Sequence, residues 1–366
     1  MGILKSAKPD QAALPEADRT TRSPRPSSGR RFGSVRLSTF LNGTELTLLA
    51  VVIAVAAAMS IWQPQQFATT SNLQNMAQQG AVLAIVAMGQ MFPLLVGGFD
   101  ISVGSLIGVS SVVGVEVMVH HGLVPGLIAG ILSAGVLGLV NGFLIGRLEL
   151  SPFIVTLGML SFARGLALTI SGGAPITGTP KSFEYFGAHE YGPIPGTVVV
   201  AAGVAILVAL LLTVSRAGLY LYATGSNNRA ARLAGVSVTR YTTLAYVISG
   251  LLAGVAGLVL SSRLASGQPT LGGGYELQSI AVAVIGGVAI GGGKGRLQGV
   301  LLGVVFLTMV TSGLNIGGVD TFVQQMVIGA IIVLAVLWDR VRIGSVDRLL
   351  RTVARRKPGG AVESKA

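Results

Sequence analysis

Residues 77–119 read AQQGAVLAIVAMGQMFPLLVGGFDISVGSLIGVSSVVGVEVMV, and this stretch decides the class of fold. It holds two apolar runs, 77–97 and 101–119, which are separated only by residues 98–100. Each run is close to the roughly 20 residues that a helix needs to cross the hydrocarbon of a bilayer. Both are too long for membrane strands, and a backbone in lipid must satisfy its own hydrogen bonds, so the sequence predicts two transmembrane helices.

Apolar runs of the same kind recur along most of the chain. Ten of them are rich in Ala, Val, Leu, Ile and Gly, and they cover 46–62, 77–97, 101–119, 123–146, 152–171, 197–215, 243–262, 276–292, 297–313 and 322–338. The composition agrees, because 51% of the residues are hydrophobic and only 11% are charged, against roughly 25% charged in soluble domains. The sequence therefore predicts an all-α integral membrane protein with about ten transmembrane helices and both termini on one side.

The distribution of the cations predicts which side that is. Of the 26 Lys and Arg residues, eight precede Leu46 and eight follow Trp338, which leaves ten between them. With the N-terminus inside, the loops predicted to be external hold only Lys181 and Arg263. The loops predicted to be cytoplasmic hold seven cations: Arg147, Arg216, Arg229, Arg232, Arg240, Lys294 and Arg296. This asymmetry predicts an N-in, C-in topology, and it explains the net charge of +12 without a nucleic-acid partner.

The predicted membrane domain, residues 46–338, lies between two basic segments. Residues 1–45 are rich in Pro, Ser and Arg and have no apolar periodicity, which predicts a disordered cytoplasmic tail. Residues 339–366 are predicted to form a second basic cytoplasmic tail. The longest external loop, 172–196, contains four prolines and is a candidate docking surface on the outer face.

Residue types that support catalysis or metal binding are scarce. The chain has no cysteine and 3 histidines, which excludes thiolate chemistry and Cys-ligated zinc and gives no argument for a metal site. Residues 286–295, GGVAIGGGKG, resemble a nucleotide-binding loop. The P-loop pattern, however, requires glycine where Val288 stands and Ser or Thr where Gly295 stands. We therefore predict no catalytic residue, no metal, no cofactor and no ATP binding by this chain.

Three ionisable side chains are predicted to lie at membrane depth, namely Asp100, Glu116 and Arg164. Such groups are costly in a bilayer, and each is a functional hypothesis by default. Asp100 comes just before an apolar run, so an alternative is that it caps a helix that starts inside the protein. Glu116 is a candidate partner for Arg164.

Uncharged polar side chains within or beside the apolar runs suit a substrate that needs hydrogen-bond donors and acceptors without strong charge. A sugar or polyol is such a substrate. The residues predicted to line a translocation path are Asp100, Ser102, Asn141, Thr156 and Asn315. The alternative for each is a hydrogen bond between helices that has no role in transport.

Residues 216–241, here called the basic segment, contain four arginines and no acid. Its centre, residues 223–236, reads ATGSNNRAARLAGV. Alanine and leucine at 230, 231, 233 and 234 favour a helix, while Arg229 and Arg232 are available to a soluble partner. Gly225 and Gly235 are predicted to break the chain on either side. The alternative is an ordinary cytoplasmic loop whose arginines only set topology.

Four motifs in order resemble one known family. Residues 97–104, GGFDISVG, are similar to the family form GGIDLSVG, with Phe99 and Ile101 as apolar replacements; Asn141-Gly142, SPFIVTLG at 151–158 and GSNNRAARLAG at 225–235 follow. The chain resembles the permease subunits of ribose/xylose/galactose-type ABC sugar importers over about residues 47–338. The long basic N-terminal tail is not part of that pattern.

The resemblance implies a multi-pass protein of the bacterial inner membrane that works as a homodimer, with cassette ATPase subunits inside and a periplasmic sugar-binding protein outside. It implies that the basic segment holds a coupling helix, carried by Gly225, Asn227, Arg229, Ala230, Ala231, Arg232 and Gly235. We predict the path-forming subunit of an importer for a monosaccharide or sugar alcohol. The alternatives are an ion-coupled secondary transporter that uses Asp100 or Glu116, and a facilitator for a small polar solute.

Overall fold

The computed structural model of the chain describes residues 43–335, together with the isolated positions 2 and 337. The predicted tails 1–45 and 339–366 lie outside the described residues, apart from residues 43–45 and position 2. Residues 43–45 belong to the first helix, so the membrane domain begins slightly earlier than the predicted boundary at Leu46.

Twelve helices account for most of the described chain. They are α1 (Gly43–Trp62), α2 (Thr70–Leu95), α3 (Val103–His121), α4 (Leu123–Arg147), α5 (Pro152–Ser171), α6 (Gly196–Thr213), α7 (Arg216–Ser226), α8 (Asn228–Leu233), α9 (Val238–Leu264), α10 (Tyr275–Ile285), α11 (Leu297–Ile316) and α12 (Thr321–Ala335). Eight of them are long and apolar enough to cross a membrane. The predicted all-α membrane fold is confirmed, and each of the ten predicted spans contains one helix.

Two of those ten helices are shorter than a full span. α10 covers 11 residues and α12 is also among the shorter apolar helices. α10 ends at Ile285 and not at 292, because the glycine-rich residues that follow leave helical geometry. Gly287, Gly292 and Gly293 have φ of 84°, 86° and 72°, a region that glycine enters at little cost.

The bundle is built around α2 and α3. Every residue of α2 from Gly80 to Leu95 is buried, and α3 is buried without interruption from Val103 to Val112. α4 and α9 pack closely beside them through glycines at four-residue spacing: a Cβ added at Gly138 would lie 2.5 Å from Tyr246 O, and one at Gly142 would lie 2.7 Å from Thr243 O. Small residues at this spacing let helix backbones approach where no hydrophobic force drives association.

The predicted cytoplasmic loops gather at one end of the bundle, here called the inner end. Arg296 Nη1 contacts Glu45 Oε2 of α1 at 2.9 Å, and Gly293 N donates to Leu95 O at 2.8 Å. The predicted external loops meet at the opposite, outer end, where Ile176 N donates to Gly267 O at 2.8 Å. The loops therefore separate into the two groups that the cations indicate; which end faces the cytoplasm stays a prediction.

The long predicted external loop folds against the outer end. It contains a short 3-10 helix, Lys181–Phe186, and a two-stranded hairpin, β1 (Glu190–Tyr191) and β2 (Ile194–Pro195), which pairs Glu190 with Pro195. Phe183 is 1% exposed, and Ser262 Oγ of α9 donates to its carbonyl at 2.5 Å. The loop therefore presents an ordered outer surface.

Candidate functional site

The basic segment folds as two short helices, α7 and α8, at the inner end. They are separated by Asn227, whose side chain accepts a hydrogen bond from Ala230 N at 3.0 Å and so caps α8. An asparagine in this position satisfies a backbone N–H that the first turn of a helix leaves free. Gly235 follows α8 with φ of 80°, as the predicted break requires.

Gly225 does not break the chain, which corrects the prediction. It lies inside α7, one residue before the end of that helix. A Cβ at Gly225 would collide with Leu95 O and would lie 2.5 Å from Gly293 N. The glycine is needed because α7 packs backbone to backbone on the end of α2 and on the loop that carries Gly293.

α8 leaves most of its surface free. Ala231 is its buried residue, whereas Arg229, Ala230 and Arg232 are exposed. Leu233 is 85% exposed, although it lies in a loop segment outside the membrane spans. α8 therefore presents one apolar and two cationic side chains at the surface of the inner end.

Arg232 has a partner within the chain that the sequence analysis missed. Its Nη2 contacts Glu149 Oε1 at 2.9 Å, with 58% and 69% of the two side chains exposed. Glu149 follows α4 and has φ of 55°, an uncommon conformation for a residue with a side chain. The pair fastens α8 to the turn between α4 and α5, and Arg229 is the arginine of α8 that stays unpaired within the described residues.

The loop between α10 and α11 is tied to α7. Tyr222 OH donates to Gly295 O at 2.8 Å. Burial raises the pKa of the Tyr222 hydroxyl, and the positive charge of Arg296 partly opposes that rise. The hydroxyl is therefore a neutral donor that keeps α7 in place on this loop.

Asp100 is the centre of a closed polar cluster. Its Oδ1 accepts from Ser102 N at 3.0 Å and from Ser102 Oγ at 2.5 Å, and its Oδ2 accepts from Ser249 Oγ of α9 at 3.1 Å. Asp100, Ser102 and Ser249 are fully buried. The carboxylate accepts a hydrogen bond from the backbone N–H of Ser102, directly before α3. This resembles the helix cap that the sequence analysis gave as the alternative role of Asp100.

Three further side chains close this cluster. Asn141 Nδ2 of α4 donates to Ser102 Oγ at 2.9 Å, and Tyr246 OH of α9 donates to Phe99 O at 3.2 Å. The Gln90 amide, oriented so that both its groups are satisfied, bonds the backbone N and O of Asp100 at 3.0 Å each. Ser249 and Tyr246 were not predicted, because a serine or tyrosine inside an apolar run gives no local signal of a contact about 150 residues away.

The cluster lies well inside the bundle. Ser249 is the twelfth residue of α9, which places it about 16 Å along that helix at 1.5 Å per residue. The chain therefore turns at the inner end after Leu95, and residues 96–102 return toward the middle of the bundle before α3 begins. We call residues 96–102 the sealed break.

The five predicted path residues do not form one site. Asp100, Ser102 and Asn141 meet in the closed cluster. Thr156 of α5 is buried, and its hydroxyl donates to Pro152 O of its own helix at 2.7 Å. Asn315 is exposed in the last turn of α11, near the outer end.

A second interruption, residues 265–274, runs back along α3 from the outer end. Gln268 N donates to Ser111 Oγ at 2.8 Å. Further along, Cβ atoms added at Gly108 and Gly104 would collide with Pro269 O and with the Glu276 carboxylate. α10 therefore starts at mid-depth, beside the first turn of α3. We call residues 265–274 the open break, because Thr270 and Gly273 are exposed; neither it nor Glu276 was predicted.

The candidate pair of Arg164 and Glu116 is not formed. Glu116 contacts His120 of its own helix at 3.6 Å, with both side chains well exposed. Arg164 Nε of α5 donates instead to Ser105 Oγ of α3 at 3.4 Å. Arg164 therefore lies against the first turn of α3, and it stays partly exposed.

Across residues 43–335 no group of three or more His, Cys, Asp or Glu side chains is placed to hold a metal ion.

Comparison with known proteins agrees with this picture. The family described as the permease component of branched-chain amino acid transport systems matches residues 72–336. The D-allose transport system permease protein of Escherichia coli K12 is 36% identical over 80% of this chain and 90% of its own length. The ribose import permease protein of Bacillus subtilis 168 is 39% identical over 81% and 92%.

The L-arabinose transport system permease protein of Escherichia coli K12 is 35% identical over 88% of this chain and 96% of its own length. No solved structure matches the chain at a significant level. A permease component works with a separate ATPase subunit, so the prediction that this chain is not an enzyme is confirmed. The predicted location in the bacterial inner membrane, as a multi-pass protein, is confirmed as well.

Because the family model matches residues 72–336 and these relatives are 35–39% identical over at least 80% of this chain, the chain belongs to the family of branched-chain amino acid transport system permease components, within which it is similar to sugar import permeases.

Proposed function

We propose that the chain forms the transmembrane path of an ATP-driven importer for a monosaccharide or sugar alcohol. Its relatives are named for allose, ribose and arabinose, and their similarity extends over nearly their full lengths. Two copies of the chain join a pair of cassette ATPase subunits at the inner end and a periplasmic sugar-binding protein at the outer end.

The observation that carries this proposal is the surface of α8. Leu233 is 85% exposed, and the neighbouring Arg229 is exposed without an ion-pair partner among the described residues. Arginine is enriched among the residues that contribute most to binding at protein interfaces, and the leucine beside it offers apolar surface that a partner can bury. α8 is therefore the proposed coupling helix, with Asn227 and Gly235 fixing its two ends.

Movement of α8 has a short mechanical route into the membrane. α7 follows directly before α8 and packs through Gly225 on Leu95, the last residue of α2 before the sealed break. A cavity of about 300 Å³ lies between α8 and the sealed break, and it is lined by Gly98, Gly146, Glu149, Asn228 and Tyr246 among others. This space lets the sealed break shift when the ATPase pulls on α8.

The proposed contact with a second copy uses α5. This helix packs inward through Val155, Thr156, Met159, Ala163 and Ala167. Its opposite face carries Gly158 and Gly165, which are exposed, and a Cβ added at either glycine meets no other atom of residues 43–335 within 4 Å. Small residues on an exposed membrane helix favour close packing with another helix.

Passage through the chain is proposed to depend on both breaks. Asp100 and Ser102 of the sealed break and Asn141 of α4, which donates to Ser102, are proposed to line the path only after the sealed break has shifted with α8. The roles of Thr156 and Asn315 in the path stay predictions. The ordered loop 172–196 is the proposed docking surface for the binding protein.

The test uses the chain co-expressed with a cassette ATPase and a periplasmic sugar-binding protein. In liposomes, uptake of D-ribose, D-allose or L-arabinose is expected to require ATP and to continue when proton and sodium gradients are dissipated. Concentration of a sugar by the chain alone, driven by an ion gradient, would instead establish a secondary transporter.

The role of α8 is tested by the double variant Arg229→Glu, Leu233→Asp. Reversing the charge and removing the apolar anchor should cost several kcal/mol at an interface, so the ATPase should no longer co-purify. Arg240→Glu is the matched control, because Arg240 is exposed in the same basic segment but lies in the first turn of α9. If the ATPase co-purifies equally with both variants, α8 is not the coupling helix and its arginines only set the topology of the chain.

A further inference from the structure

Two charged side chains flank the first turn of α3 at mid-depth. Arg164 is the thirteenth residue of α5, about 18 Å from the inner end of that helix, and it donates to Ser105. Glu276 lies in the first turn of α10, with its carboxylate against Gly104. Ser105 and Gly104 are adjacent in α3, so the two charges lie on either side of one turn.

Both side chains have hydrogen-bonding capacity to spare. Within residues 43–335, the Glu276 carboxylate accepts from Gly274 N, at 3.2 Å to Oε1 and 3.1 Å to Oε2. Arg164 makes one long bond, 3.4 Å, from Nε, whereas a guanidinium has five N–H donors. Neither residue forms an ion pair within 4.0 Å in the described part of the chain.

Neither of these charged side chains is suited to face lipid. Both are partly exposed in the single chain, and a charged group at the centre of a bilayer is costly unless protein or water covers it. The exposed Ser161, Thr270 and Gly273 lie on the neighbouring parts of α5 and the open break. This is also the side on which α5 offers its small residues to a second copy.

We propose that Arg164 and Glu276 recognise the hydroxyl groups of the sugar as it passes between two copies of the chain. A guanidinium donates and a carboxylate accepts, so together they match the alternating donors and acceptors of vicinal hydroxyls. As one cation and one anion they add no net charge, which suits a neutral cargo. This inference rests on the proposed function and names the residues that contact its substrate.

The transport test uses Arg164→Gln and Glu276→Gln in the reconstituted complex with ATPase and binding protein. With D-ribose, D-allose and L-arabinose as probes, we expect the KM of the transported sugar to rise roughly tenfold or more, because a hydrogen bond from a charged group is lost. Assembly with the ATPase and ATP hydrolysis without sugar should stay unchanged.

Matched controls carry the same chemical changes elsewhere. Glu116→Gln alters a carboxylate of α3 that contacts only the exposed His120 among described residues, and Arg263→Gln alters an arginine in the last turn of α9. Both should transport with unchanged KM. If wild-type complex takes up none of the sugars, the proposed function fails; if it does and the two path variants match the controls, the present proposal alone is overturned.

A second measurement does not depend on transport. The chain has no cysteine, so single cysteines at Ser161 and Thr270 can be labelled with a charged, water-soluble thiol reagent in lipid vesicles. Labelling of both, slowed by the transported sugar, is expected for a water-filled path. Ile206→Cys is the control, since Ile206 is 61% exposed on α6 and should stay unlabelled in lipid. Failure of both test positions to react would overturn the proposal, even if Arg164→Gln and Glu276→Gln misfold.

Discussion

The two breaks in the membrane domain share one design and differ in closure. In each, a chain that has left a long helix turns back, reaches mid-depth beside the first turn of α3, and places an acid there. In the sealed break the acid is Asp100, fully buried with three hydrogen-bond donors on its carboxylate. At the open break it is Glu276, in the first turn of the α10 helix that follows, partly exposed and bonded to one backbone N–H.

This difference in closure corresponds to the two ways in which an irregular backbone is tolerated in a membrane. Non-helical chain at membrane depth persists only where it is buried in protein or lines water. The sealed break uses the first solution and holds α2, α3, α4 and α9 together. The open break, with Arg164 opposite, requires the second, and we therefore place substrate contact there and mechanical coupling at the sealed break.

The largest expected effect comes from Asp100→Ala. It removes the acceptor for Ser102 N, Ser102 Oγ and Ser249 Oγ, and each buried donor left unpaired costs about 1–3 kcal/mol. We expect a loss of at least about 3 kcal/mol in the free energy of unfolding in mixed micelles. Glu276→Ala, which removes an acceptor for one N–H, should cost about 1 kcal/mol. Equal losses would mean that the two breaks are not different in closure.

A smaller loss of stability is expected when glycine is replaced by alanine at Gly108, which faces the open break, or at Gly158, which lies on the exposed face of α5. Gly108→Ala forces a methyl group against Pro269 O of the open break, and overpacking of this kind costs about 1–3 kcal/mol. Gly158→Ala on α5 meets no other atom within 4 Å, so the isolated chain should be as stable as wild type or slightly more so.

The same two variants should reverse their order in a cross-linking assay of dimer formation. Gly158→Ala should weaken association, because it lies on the proposed contact face, whereas Gly108→Ala is buried within one chain. A dimer unaffected by Gly158→Ala would remove α5 from the interface while leaving the stability prediction intact.

Much of this fold could be predicted from sequence, because hydropathy and length are local properties of each span. The same holds for α8, where Asn227, the alanines and Gly235 specify a short helix and its ends. The predicted span 276–292 was too long at its C-terminal end, because the helix ends at Ile285 and the glycines that follow form a turn. Gly225 was misread for the related reason that a glycine can serve packing as well as a break.

The sites could be predicted only in part, because their contacts join distant positions. Asp100 and Arg164 stood out as charges in apolar surroundings; Asp100 lies in the sealed break, and Arg164 contacts the first turn of α3. Ser249 and Tyr246 did not stand out, although they close the cluster from α9. Glu149 was invisible as a partner of Arg232, since nothing in the sequence shows that the turn after α4 meets α8.

The smallest change removes a single hydroxyl from the surroundings of each break, at Ser249 and at Ser105. Ser249 and Ser105 are both fully buried, but Ser249 donates to the Asp100 carboxylate at 3.1 Å, whereas Ser105 receives one long bond of 3.4 Å from Arg164. A hydrogen bond to a buried charged group contributes about 1.5–3 kcal/mol, so Ser249→Ala should lower the free energy of unfolding by about that amount. Ser105→Ala should change it by a few tenths of a kcal/mol, because Arg164 is partly exposed and water can replace the hydroxyl.

Both variants keep the backbone and remove the same atom, so the difference between their losses in the free energy of unfolding measures how tightly each break is closed. A loss at Ser105 as large as that at Ser249 would show that the open break is held as tightly as the sealed one, and that Arg164 is a structural group committed to α3.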